Sequence, residues 1–129
     1  MKKPLPKTAL IIEDETGLRL SMAETLESIG FEVRACAGAE EGLELAASFK
    51  PTLVFCDVHL EQGDGRTVLA QLRADDSLGD CQFVLMTGDW VGASERSSVD
   101  IGADAYLPKP FTFEEFRACA EERYRQANL

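Results

Sequence analysis

The chain has 129 residues, 45% of them hydrophobic, and a formal net charge of -10 from 23 acidic and 13 basic side chains. That size suits a single domain over residues 1–129, with a core from about 8 to 126, and the apolar content excludes a disordered chain. So acidic a surface argues against direct nucleic-acid binding and for cation binding; the one basic cluster, Arg117, Arg123 and Arg125, is interleaved with Glu121 and Glu122.

No apolar run approaches transmembrane length, and Pro4 and Pro6 stand where a signal peptide needs an apolar stretch. A cytoplasmic protein without membrane contact is expected. Cys36, Cys56, Cys81 and Cys119 are scattered, form no C-x-x-C pair and read as reduced thiols.

The elements follow in chain order. Ala9-Leu10-Ile11-Ile12 is a short apolar run without alternation, as expected of a strand covered on both faces. Leu18, Met22, Leu26 and Ile29 keep helical spacing until Gly30. A weaker strand spans 32–36, and Ala39, Leu43, Ala46 and Ala47 mark a helix ending before Pro51. Leu53 to Cys56 is the next buried strand, and Val68, Leu69 and Leu72 mark the next helix. Phe83 to Met86 is a fourth strand. A poor, serine-bearing helix from Ala93 to Ile101 follows, then a weak strand at Ala105 to Leu107. The last helix opens at Thr112, with Glu115 completing a capping-box pattern and Phe113, Phe116 and Ala120 expected to face the core. Strand–helix alternation five times over predicts an α/β, doubly wound parallel sheet with helices on both faces.

In such a fold, ligands bind beyond the carboxyl ends of the strands. The first strand ends in Glu13-Asp14-Glu15, the third in Asp57, the fourth in Thr87 and the fifth in Pro108-Lys109-Pro110. Carboxylates crowded together repel unless a cation sits among them, and an oxygen-rich set suits Mg²⁺. A lysine and a hydroxyl beside them suit a phosphoryl group. Read blandly, Asp14 is a helix cap, Glu13 a solvated loop acid, Asp57 a turn residue and Tyr106 a strand aromatic. Asp57 beside Glu13, Asp14 and Lys109 favours the sharper reading.

The segments Ile12-Glu13-Asp14-Glu15, Phe55-Cys56-Asp57-Val58, Leu85-Met86-Thr87-Gly88 and Gly102 to Phe111, taken in order, resemble the receiver domain of response regulators. The resemblance implies a flavodoxin-like sheet in the order 2-1-3-4-5 and a phosphorylation-activated switch of two-component signalling. Carried over by position, Asp57 is the phosphoacceptor, and Glu13, Asp14, Asp57 and the backbone carbonyl of His59 hold Mg²⁺. Thr87 and Lys109 contact the phosphoryl group, Thr87 and Tyr106 form the switch, and Lys109-Pro110 is cis. The implied partners are a sensor histidine kinase or phosphotransfer protein and an effector or fused output domain, with a homodimer left open. Slow self-dephosphorylation, rather than enzymatic turnover, is expected. Leu60-Glu61 departs from the Met-Pro common in the family, and Glu61 adds a charge near the pocket. His59 and Asp89 occupy the variable places expected to tune phosphoryl lifetime. The alternative is a metal-dependent aspartyl-phosphate phosphohydrolase, which would need an acid where His59 stands. A flavodoxin-type cofactor module is disfavoured, because Glu13-Asp14-Glu15 would repel a flavin phosphate. Trp90 reads equally as loop packing or as a partner anchor.

Overall fold

The computed structural model describes residues 3–88 and 102–129. Asp89, Trp90 and the expected helix from Ala93 to Ile101 lie outside the described residues. Five parallel strands form the main sheet: β1 (Thr8–Ile12), β2 (Glu32–Cys36), β3 (Leu53–Asp57), β6 (Gln82–Thr87) and β7 (Ala105–Pro108). Two short antiparallel strands, β4 (His59–Leu60) and β5 (Gly63–Asp64), make a hairpin just after β3. The sheet order is β2-β1-β3-β6-β7, the expected five-strand arrangement once the hairpin takes two numbers. Helices α1 (Thr16–Ser28), α2 (Ala39–Phe49), α3 (Gly65–Ala74) and α4 (Phe113–Ala127) complete the described elements.

The strands alternate between two cores. Leu10, Ile12, Val54, Cys56, Phe83 and Leu85 pack with Val68, Leu69 and Leu72 of α3 on one face. Ala9, Ile11, Leu53, Phe55, Val84 and Met86 pack with Met22 and Leu26 of α1 and Phe116 and Ala120 of α4 on the other. Both faces are covered, which is why these strands read as unbroken apolar runs.

Local signals place the helix ends. After α1, Gly30 takes φ +96, with Phe31 N–H donating to Leu26 O at 3.0 Å and Gly30 N–H to Glu27 O at 3.1 Å. This is the paired closure that a left-handed glycine permits. At α4 the capping box forms as expected: Thr112 Oγ1 accepts from Glu115 N at 3.0 Å, and Glu115 Oε1 accepts from Thr112 N at 2.8 Å.

One expected core residue is not in the core. Phe113 is 43% exposed, whereas Phe116 and Ala120 are fully buried. Phe111 takes the inner place instead, stacked on Phe116 with ring centroids 5.8 Å apart, while Phe116 meets Phe55 edge-on at 4.8 Å. The core-facing ridge of α4 therefore runs through Phe116, Ala120 and Tyr124 at four-residue spacing, and Phe113 lies to one side of it. Phe116→Ala should cost about 3–5 kcal/mol in urea denaturation, and Phe113→Ala should stay within about 0.5 kcal/mol. Equal costs would contradict this assignment of the α4 face.

Candidate functional site

The carboxyl edge of the sheet gathers the charged residues. The ladder continues past the strand ends: Glu13 N–H donates to Cys36 O at 3.0 Å and Lys109 N–H to Thr87 O at 2.7 Å. Glu13, Asp57 and Lys109 thereby extend the alternation that carries Ile11, Phe55 and Leu107. Their side chains converge. Lys109 Nζ donates to Glu13 Oε1 at 2.6 Å and to Asp57 Oδ2 at 2.7 Å. One ligand oxygen from each of Glu13, Asp14 and Asp57 lies within 4.8 Å of the others, a set that could hold a metal ion.

Burial gives these contacts weight. Glu13 is fully buried and Asp57 is 6% exposed. Burial pushes the Glu13 carboxyl above the usual carboxylate range, against the opposing pull of Lys109 and the Glu15 amide. Burial works to lower the Lys109 pKa, but its bonds to Asp57 and Glu13 outweigh that, and the ammonium is held above its ordinary value. The lysine therefore stays charged. Three acidic side chains face one ammonium, an excess of acidic groups that suits a cation.

The bland readings fail at two positions. The N-cap of α1 is Glu15, whose carboxylate accepts from Gly17 N at 3.1 Å and Leu18 N at 2.7 Å; Asp14 does not cap it. Glu13 is not solvated, since Oε2 accepts from Glu15 N at 3.0 Å inside the fold. Thr87 is fully buried at the end of β6 and pairs in register with Pro108. Tyr106, paired with Leu85, packs half-buried on the α3-side core, the face that the pleat also gives to Thr87. His59 is exposed, and its backbone N–H donates to Asp57 Oδ1 at 3.1 Å. The Lys109-Pro110 bond is cis, as expected.

Several contacts escaped the sequence reading. Glu61 N–H donates to Asp14 Oδ2 at 2.6 Å, and Arg19 Nη1 donates to Glu13 O at 2.8 Å. At the start of α3, Gly65 sits so close to the third strand that a Cβ there would lie 2.2 Å from the Asp57 carbonyl oxygen. A glycine opening a helix was the one available signal for that approach. The C-terminal arginines are largely engaged: Arg125 binds Glu122 through Nε at 3.0 Å and Nη2 at 2.7 Å, which with Gln126 holds that carboxyl at about 2.

The family model for the response regulator receiver domain matches residues 9–121. The chain belongs to the response regulator receiver family. This receiver is 37% identical over 115 residues to response regulator MprA of Mycolicibacterium vanbaalenii, covering 88% of this chain and 48% of that protein. It is 36% identical over 121 residues to response regulator MprA of Mycobacterium ulcerans, covering 93% and 51%. It spans about half the length of these relatives. Among solved structures, the CheY-like receiver domain protein of Methanospirillum hungatei matches with a TM-score of 0.88 at 26% identity, over 95% of this chain and 97% of that one. Chemotaxis response regulator CheY4 of Vibrio cholerae shares the fold, with a TM-score of 0.86 at 20% identity. The receiver is thus a domain of two-component signalling with an acidic cluster suited to a metal.

Gly65 generates a test of how the receiver shapes its acidic edge. Gly65→Ala should destabilise it by about 1–3 kcal/mol, because the new methyl meets backbone that cannot yield like a side chain. Chemical denaturation of the variant measures this, and wild-type stability would contradict the close packing of Gly65 on Asp57.

Proposed function

We propose that the chain is a single receiver domain switched by phosphorylation of Asp57, the phosphoryl group coming from a sensor histidine kinase or phosphotransfer protein in a Mg²⁺-dependent reaction. One observation carries the reading: a single ammonium, Lys109, is held by Asp57 and Glu13 at the sheet edge with Asp14 beside them. Glu13, Asp14, Asp57 and the backbone carbonyl of His59 would hold Mg²⁺, which when bound supplies positive charge to the phosphoryl oxygens.

The remaining roles fall to the chain's own side chains. The Asp57 carboxylate forms a bond to phosphorus as the bond from phosphorus to the donor's imidazole nitrogen breaks, giving an aspartyl phosphate. Lys109 gives up Asp57 for a phosphoryl oxygen, and the Thr87 hydroxyl donates to another. Moving Thr87 changes the space open to Tyr106 on the same sheet face, which couples phosphorylation to the β6–β7 side of the domain. Water then slowly hydrolyses the acyl phosphate.

An apolar pocket of about 320 Å³, lined by Leu18, Gly88, Lys109, Pro110 and Phe111, opens beside the lysine and supports donor docking there. The output would be an effector protein or a fused domain, consistent with relatives about twice as long as this chain. The phosphohydrolase reading gains no support, since the residue two places after Asp57 is His59. No helix among the described residues is long and apolar enough to cross a membrane.

Acetyl phosphate with Mg²⁺ should add one phosphoryl group to the wild type and none to Asp57→Asn, read by intact mass. Thr87→Ala should still be labelled, yet show a smaller change in hydrogen exchange across residues 87–108 when beryllofluoride is bound. Labelling of Asp57→Asn at the wild-type level would overturn the assignment.

A further inference from the structure

The hairpin after β3 presents two backbone amides, two residues apart, to two different acids. His59 N–H donates to Asp57 Oδ1 at 3.1 Å, and Glu61 N–H donates to Asp14 Oδ2 at 2.6 Å. The second bond links positions 47 apart in the chain.

The hairpin is itself held in place. His59 pairs with Asp64 and Leu60 with Gly63. On its outer side, Ala39 N–H donates to Gln62 O at 3.1 Å. Gly63, at φ +122, packs so tightly on α2 that a Cβ there would lie 2.4 Å from the Ala39 Cβ. The Glu61 amide is therefore a donor fixed between α2 and the acidic edge. Asp14 sits in the loop between β1 and α1, partly exposed. Its Oδ1 has no hydrogen bond among the described residues, whereas Oδ2 is anchored to Glu61.

We infer that the Glu61 backbone N–H is a positioning group that holds the Asp14 carboxylate turned toward Glu13 and Asp57, ready for a divalent cation. The inference rests on the Mg²⁺ pocket proposed above and adds a residue that acts through its main chain. Loss of a partner hydrogen-bonded to a metal ligand typically weakens the metal by 10–100-fold. The carboxylate of Glu61, an exposed residue, has a separate and weaker effect: it attracts the cation through solvent and is screened by salt.

Substitutions separate the two. Glu61→Gln keeps the amide and removes the charge, so Mg²⁺ affinity by calorimetry should fall by no more than about threefold, and less at high salt. Glu61→Pro removes the donor, and affinity should fall by about tenfold or more at every salt concentration. Replacing the residue 61 amide by an ester removes the N–H alone and should give the same loss even where the proline variant does not fold. Without metal, the Glu61 amide proton in the NMR spectrum should move upfield in Asp14→Ala.

Wild-type affinity in the ester variant, or an unmoved Glu61 amide in Asp14→Ala, would overturn the inference while leaving the pocket intact. A wild-type protein that binds no Mg²⁺ at the Asp57 edge would overturn the pocket reading, and this inference with it.

Discussion

Everything at the carboxyl edge of the sheet is arranged around one ammonium shared by two buried acids. Lys109 reaches Glu13 and Asp57 at 2.6 and 2.7 Å, and Glu13 has no solvent exposure with which to disperse its charge. An unpaired carboxylate at that depth carries a large desolvation penalty. The lysine offsets it in the absence of metal, and its raised pKa shows the pairing outweighing its own burial. The acidic groups outnumber that one ammonium, and Glu13, Asp14 and Asp57 form a cluster that could hold a metal ion.

The sheet makes that contact possible by delivering residues from distant parts of the chain in a fixed register. The fold was legible because each inner strand is apolar on both faces, so Leu10, Val54 and Leu85 reveal one core while Ile11, Phe55 and Met86 reveal the other. The convergence of Glu13, Asp14, Asp57 and Lys109 was legible from the strand ends, whereas the strand order came from the family resemblance. What stayed hidden depends on where atoms lie rather than on residue type. Phe113 and Phe116 are alike in the sequence, and only the register of α4 against Phe111 separates them. The cap at Glu15 rather than Asp14 turns on a one-residue difference in where α1 begins. The bond from Glu61 to Asp14 is made by a backbone amide, which every non-proline residue carries, so no composition or motif marks it.

The same distinction bears on specificity within the family. Glu13, Asp57 and Lys109 are placed by the strand ends, whereas the hairpin at residues 59–64 brings backbone donors to Asp57 and Asp14. Relatives roughly twice as long carry further chain beyond the matching stretch, and Thr87 and Tyr106 share one face of β6 and β7 in this receiver.

The most direct test of the shared-ammonium account is thermal and urea unfolding of Lys109→Met against the wild type, each in chelator and in saturating Mg²⁺. The account predicts that the variant loses about 3 kcal/mol in chelator, because two buried carboxylates lose their counter-charge. It also predicts that Mg²⁺ stabilises the variant more than the wild type, since the cation then replaces the missing ammonium. A variant as stable as the wild type in chelator, with an equal gain from Mg²⁺, would contradict it.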